Sequence, residues 1–363
     1  MKRLVTLLAT LVLGCAIVLS GCGNQKADQK ASAPAADQKN IELSFSAEYM
    51  EAHPTVANGW KPWMKDLGEK TGGKLKINYF NPNTLCPTRE IYTATMAGTV
   101  DIGGSYCGNT PGKFPVNELL ELPMIAPSAE AGSLLAWEMY QKYPEWRDEY
   151  KDTKVLWQWA SATFQLHTTK KLVKSLEDLK GMKIIGWTPK MLENIKLLGA
   201  NPVEMTTTDT YLALQRGMAD GVMCPLAPLK SYKISDAAKY HTIVDLSVGP
   251  FYGVINTAKY NSLPPDVKKL LDETTGEKMA QICGKTLDQG AVEDSKWLKA
   301  NGHTFHVLTA DEKKRWLEAV RPVHDKWVKD MEAKGYKNAG AMLEDAIRMG
   351  EELGKKTGRG YQE

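Results

Sequence analysis

Ile41–Ala47 (IELSFSA) carries enough apolar side chains in so short a run to predict a buried first strand. After His53-Pro54, the residues Val56, Trp60, Trp63, Met64 and Leu67 recur on one face of a helix, and Gly72-Gly73 supplies its C-terminal stop. Lys74–Phe80 alternates, with Leu75, Ile77 and Tyr79 turned inward, and predicts a second strand. Arg89–Ala97 then predicts a helix and Val100–Gly104 a short strand that closes a βαβ unit. The fold class is therefore α/β, with a sheet covered on both faces.

The pattern restarts further on. Strands are predicted at Lys154–Trp159, Phe164–Thr168 and Met182–Ile185, and another short one follows Ala219-Asp220-Gly221. Helices are predicted at Pro189–Leu198 and Asp209–Arg216. This second set has the logic of the first, so the chain holds two lobes. From Pro264-Pro265 a helical stripe persists, with breaks, to Lys299; about 35 residues at 1.5 Å each reach about 50 Å, more than one lobe needs. Thr309-x-x-Glu312 is a capping box that opens a terminal helix, which Pro322 is expected to kink.

The N-terminus differs from all of this. Lys2 and Arg3 precede an apolar run, Leu4–Leu19, too short for an ordinary membrane span, and small residues lead to Cys22. That order predicts a secretory signal over residues 1–21. Leu19-Ser20-Gly21-Cys22 resembles the bacterial lipobox, which implies lipidation of Cys22 and an anchored, periplasmic or otherwise extracytoplasmic protein. Residues 22–40 contain almost no large apolar side chain and read as a tether.

Composition excludes more than it assigns. The formal net charge is +3, and loss of Lys2 and Arg3 with the signal leaves 3 − 2 = +1, without a basic arm, so nucleic acid is not an expected partner. Of six cysteines, Cys86, Cys107, Cys224 and Cys283 remain once Cys15 and Cys22 are set aside. They form no Cys-x-x-Cys pair, and an exported chain permits disulfides. His303 and His306 lie near a predicted edge strand, where solvated or capping roles are expected rather than metal ligation. No His-Glu-x-x-His, Gly-x-Ser-x-Gly or phosphate-binding loop occurs, so neither an enzyme nor a metal or cofactor is expected. Gly103-Gly104-Ser105 reads as a tight exit from a strand, where backbone approaches a ligand or a neighbour.

Several blocks, none diagnostic alone, become specific in their order and spacing. They are Thr71-Gly72-Gly73-Lys74-Leu75, Ala97-Gly98-Thr99-Val100-Asp101-Ile102, Leu176-Glu177-Asp178-Leu179-Lys180-Gly181-Met182-Lys183-Ile184, Leu198-Gly199-Ala200-Asn201-Pro202-Val203, the run from Tyr211 to Gly221, and Tyr260-Asn261-Ser262-Leu263-Pro264-Pro265. With them the chain resembles, from about Ile41 to Ala333, the DctP family of solute-binding proteins of tripartite ATP-independent periplasmic (TRAP) transporters. The resemblance implies two α/β lobes with a cleft between them and a long helix spanning both. Lobe I would comprise 41–161 plus about 250–285 and lobe II 162–249 plus about 286–335, leaving 336–363 as a helical tail. It also implies a monomer that captures a small solute and hands it to membrane subunits; a ligand sensor for a membrane receptor is the alternative use of the same trap.

One departure matters. Family members hold a substrate carboxylate with an arginine in a Lys-Ile-Arg-Val-Pro string, whereas this chain has Lys183-Ile184-Ile185-Gly186-Trp187, and a second family arginine falls on Phe164. The family's other contact positions fall on Glu48, Ser105, Tyr106, Trp187, Thr207, Cys224 and Phe251, with Trp159 or Trp157 nearby. The resulting pocket has one carboxylate and several rings, which points to an amine or quaternary ammonium solute with Glu48 as counter-ion. A neutral or aromatic solute, or an anion held unconventionally, are the alternatives. The family fold also implies that the loops of Cys86 and Cys107 are neighbours, and a disulfide between them is expected.

Overall fold

The computed structural model describes residues 40–358; the signal segment, Cys22 and most of the tether lie outside them. A five-stranded sheet has the order β2-β1-β3-β10-β4, built from β1 (Ile41–Ala47), β2 (Leu75–Phe80), β3 (Ile102–Tyr106), β4 (Thr153–Ala160) and β10 (Pro250–Asn256). A six-stranded sheet has the order β11-β9-β5-β8-β6-β7. Its strands are β5 (Gln165–Thr168), β6 (Lys183–Gly186), β7 (Asn201–Glu204), β8 (Gly221–Cys224), β9 (Tyr240–Ile243) and β11 (Thr304–Val307). β1 pairs in parallel with β2 and β3, while β10 runs antiparallel to both of its neighbours. In the second sheet β5 is the strand antiparallel to both neighbours, β8 and β9. Each reversed strand is the one the chain enters on crossing from the other sheet.

The two crossings, 161–164 and 244–249, lie side by side. Ser161 N–H donates to the Gly249 carbonyl at 2.9 Å, Phe164 N–H to Ser247 at 2.9 Å and Leu246 N–H to Phe164 at 3.1 Å. The Gln165 side chain accepts from the amides of Val244 and Asp245 and donates to Asp245 Oδ1 at 2.9 Å.

The long helix departs from expectation. It breaks at Thr275-Gly276 into Pro265–Thr274 and Glu277–Ala300, because Gly276 adopts φ 64°, and a Cβ there would stand 2.9 Å from the Trp137 ring. The 24 residues of the second part still reach about 36 Å. Met279, Cys283 and Leu287 join the apolar core beneath the first sheet, and Ala291 and Leu298 that of the second, so this crossing helix spans both lobes. Its contact with the helix Ala129–Lys142 is backbone to backbone: a Cβ on Gly284 would lie 2.5 Å from Glu130 Cα. At its edge Asp288 accepts from the Ala129 and Glu130 amides, both at 2.9 Å.

The capping box forms as expected, with Thr309 N–H donating to Glu312 Oε2 at 2.7 Å and Glu312 N–H to Thr309 Oγ1 at 3.3 Å. Beyond it the expected lobe boundary is corrected. Trp316 and Val320 pack in the second lobe, but after Pro322 the residues Val323, Trp327 and Met331 belong to the core of the first. The return to the first lobe therefore occurs at Pro322 rather than near residue 335, and the tail helix Ala339–Thr357 adds Met342, Ala346 and Leu353 to the same core. No helix among the described residues is long and apolar enough to cross a membrane.

The Gly284 contact leaves no room for a methyl group. Gly284→Ala should lose about 1–3 kcal/mol of stability despite alanine's better helix propensity, because backbone cannot give way as a side-chain tip can. A urea unfolding midpoint at or above that of the parent would refute this account of the crossing helix.

Candidate functional site

The carboxyl ends of β1 and β3 lie side by side, Ala47 opposite Gly104, and the ladder continues as Glu48 N–H donates to the Gly104 carbonyl at 3.1 Å. This pairing sets the Glu48 carboxylate over the start of the next turn. Its Oε2 accepts three hydrogen bonds, each of 2.7 Å, from Ser105 Oγ, the Tyr106 amide and Asn109 Nδ2. No donor faces Oε1 among the described residues. Burial nevertheless raises the Glu48 pKa above the ordinary carboxylate value, against the lowering effect of the three donors.

The rings come from register. In β10, Phe251 stands opposite Tyr106 of β3 on one side and Trp159 of β4 on the other. Its ring lies 5.0 Å from Trp159, stacked, and 5.5 Å from Tyr106. Tyr49, next to Glu48, is 5.7 Å from Phe251 and lies flat on His53 at 3.8 Å. Two glycines make room for Tyr106: a Cβ on Gly108 would lie 2.2 Å from its ring, and one on Gly249 3.3 Å. The Tyr106 hydroxyl donates to Glu121 Oε1 in a short hydrogen bond. Burial pushes the Glu121 carboxyl up to about 7.

Glu48, Ser105, Tyr106, Trp159 and Phe251 are thus one group. The structure adds Tyr49, His53, Asn109 and Glu121. Tyr49 and Asn109 were legible only by adjacency, as a ring after Glu48 and an amide in the turn after Tyr106. Glu121 offered no signal, since it arrives from a separate segment. Gly103 and Gly104 serve neighbours rather than a ligand: a Cβ on Gly103 would lie 2.2 Å from Thr95 Oγ1, and one on Gly104 3.2 Å from the Phe45 ring.

The second-lobe positions stand apart from this group, and no ring contact among the described residues joins the two. Trp187 is half-buried and donates through Nε1 to Thr210 Oγ1 at 3.0 Å. Thr207 opens the helix Thr207–Gln215, capped by Thr206. Phe164 sits in the crossing, packed on the second-lobe core. Ile185 and Cys224 are wholly buried in an apolar cluster with Val222, so both side chains are core at the strand ends rather than open surface.

The expected disulfide is corrected. Cys86 and Cys107 are both free thiols, because the Cys107 side chain is drawn into the first-lobe core, 3.4 Å from the Tyr150 hydroxyl. His303 is likewise not solvated but buried, whereas His306 faces the cap residue Glu312 at 3.4 Å. No cluster among the described residues has the makings of a metal site.

Comparison with known proteins agrees with this architecture. Residues 45–330 match the family model DctP, bacterial extracellular solute-binding protein, family 7. The chain is 28% identical over 272 residues to the 2,3-diketo-L-gulonate-binding periplasmic protein YiaO of Escherichia coli, covering 73% of this chain and 80% of that one. A TRAP solute-binding protein of Rhodoferax ferrireducens, solved with copurified benzoate, superposes with a TM-score of 0.79 at 28% identity, over 87% of this chain and 99% of the other. A marine metagenome TRAP protein specific for aromatic acid ligands, solved with 3-hydroxybenzoate, gives 0.79 at 29% identity over the same shares.

The site carries its own pH signature. Glu121 titrates at about 7 in the folded chain against an ordinary 4.5, so between those values the native state binds more protons than the unfolded state. Its contribution is complete below about 4.5 and is lost as pH rises through 7. In Glu121→Gln this contribution is absent, and the variant should gain stability relative to the parent as urea melts move from pH 5 to pH 8. A difference that stays constant with pH would contradict the assignment.

Proposed function

We propose a substrate class on one premise: this chain belongs to the DctP family, the bacterial extracellular solute-binding proteins of family 7, and works as the capture component of a TRAP transporter. The class is a small organic cation with an aromatic or apolar body. The observation that carries this reading is Glu48, a carboxylate steadied through one oxygen by three donors, with its other oxygen unpartnered and rings beside it. Among the described residues, the hydrogen bonds and ion pairs of the group include no Lys or Arg that would neutralise it. Glu48 is half-buried, and a carboxylate drawn partly out of water without a cationic partner is stabilised by a cationic solute. Each ring facing the cation adds about 0.5–2 kcal/mol.

A second reading has an observation of its own. Similar proteins were solved with benzoate and 3-hydroxybenzoate, which supports an aromatic solute in the Tyr49, Tyr106 and Phe251 group. Its carboxylate would need a partner, and the position at which the family resemblance implies an arginine is Ile185, deep in apolar core. The cation reading is therefore preferred. Closure of the lobes on the solute would then select the form presented to the membrane subunits.

A thermal-shift comparison separates the two. Benzyltrimethylammonium and phenethylamine should raise the melting temperature, whereas benzoate and 3-hydroxybenzoate should not; at a thousandfold excess over Kd the stabilisation is about 4 kcal/mol. Glu48→Gln should weaken the cations at least about tenfold, about 1.4 kcal/mol. A shift produced by the carboxylates alone would overturn the cation and leave the aromatic acid.

A further inference from the structure

Outside the group around Glu48, the second sheet contains a line of histidines that the solute reading does not use. His167 lies on β5 and His241 on β9, directly opposite each other, and His303 follows the crossing helix. All three are buried. His167 Nε2 is 3.0 Å from the Cys224 carbonyl, His167 Nδ1 is 2.8 Å from His241 Nδ1, and His241 Nε2 is 2.8 Å from His303 Nδ1. At the outer end His303 Nε2 is 3.3 Å from Nζ of the exposed Lys239.

The chemistry of the two ends determines every proton between them. A carbonyl only accepts, so His167 Nε2 carries hydrogen; an ammonium only donates, so His303 Nε2 carries none. If each ring is neutral, His303 donates from Nδ1 to His241, and His241 donates from Nδ1 to His167. Every nitrogen is satisfied, and only this assignment achieves it. A proton added to any ring would set two donors against each other somewhere along the line. The other groups facing the line are the Phe305 ring, 4.7 Å from His241, and Asp236, whose charge acts on His303. Burial works in the same direction, lowering His167 to about 4 and His241 to about 2.

We propose that His303, His241 and His167 form a one-way, neutral hydrogen-bond chain from the Lys239 ammonium to the Cys224 carbonyl, and that these positioning residues hold the carboxyl end of β8. The crossing helix ends at Ala300, and the His303 N–H just beyond it donates back to the Leu298 carbonyl at 3.1 Å. The chain thus ties that helix, through β9 and β5, to the strand end that family resemblance places beside the solute. It rests on the solute reading only in that last clause.

Long-range proton–nitrogen correlation on 15N-labelled protein at pH 7 tests it directly. Hydrogen is expected on Nδ1 of His303 and His241 and on Nε2 of His167; any other pattern, or an imidazolium, overturns the proposal. Lys239→Glu, an exposed change, replaces the donor by an acceptor and should reverse the line. His167 would then have to donate from both nitrogens, and its titration midpoint should climb by more than one pH unit, whereas Lys239→Met should leave the tautomers as they are. A His167 midpoint in Lys239→Glu that matches the parent's would mean the chain is not continuous. His241→Phe should speed amide exchange across Gly221–Cys224 at least tenfold and leave β1 unaffected; unaltered exchange in β8 would also overturn the positioning role. No solute enters these measurements, so their failure is distinct from failure of the cation reading.

Discussion

Everything about this molecule hangs on the pair of crossings between its sheets. Asp245 is buried within that pair, accepts from Thr163 Oγ1 at 3.0 Å and from Gln165 Nε2, and faces Lys313 at 3.4 Å. It also adopts φ 50°, a left-handed conformation that costs a residue with a side chain about 1–2 kcal/mol. That cost is offset by the hydrogen bonds of the Gln165 amide and of the paired backbones, since buried polar atoms without partners would cost more. The result is a narrow ribbon of two adjacent segments, joined by the backbone hydrogen bonds of Ser161, Phe164 and Leu246. Relative movement of the lobes must pass through this ribbon, the crossing helix and the turn at Pro322, which is the geometry of a hinge.

The grip is unequal on the two sides of that hinge. The first lobe assembles its group without help from the second: register places Phe251 between Tyr106 and Trp159, and strand pairing places Glu48 over the Ser105–Asn109 turn. The second lobe offers Trp187 and Thr207 at the ends of its own elements, separate from that group. One ion pair, Lys190 with Glu118 at 3.2 Å, reaches across from the second lobe to the segment that also carries Glu121. Both partners are partly exposed, so it contributes little by itself. Under the proposed function, a solute filling the space between the two sets would supply the differential contact that closure requires.

Much of the fold was legible because periodicity and punctuation are local. Alternation in Lys74–Phe80, the stop at Gly72-Gly73 and the Thr309–Glu312 capping box each depend on a few consecutive residues, and each forms where expected. The break at Gly276 was not legible in the same way. A glycine in a helical stripe is tolerated in many contexts, and here the Trp137 ring, far away in sequence, decides that it bends. The return to the first lobe at Pro322 has the same origin: the apolar stripe of Pro322–Ala333 fits either core, and only packing selects one.

At the site the division is sharper. Sequence by itself, through the family resemblance, placed a carboxylate, a hydroxyl and several rings at or just past the carboxyl ends of β1, β3 and β4. Tertiary structure alone decided what surrounds them: Asn109 and Glu121 completing the polar side, Tyr49 and His53 stacked on the ring side, and Cys107 withdrawn from any disulfide into the core. It also joined three histidines separated by 74 and 62 residues into one line. Residue type and spacing state what chemistry a chain carries; which groups meet depends on long-range burial, and that is a property of the whole fold.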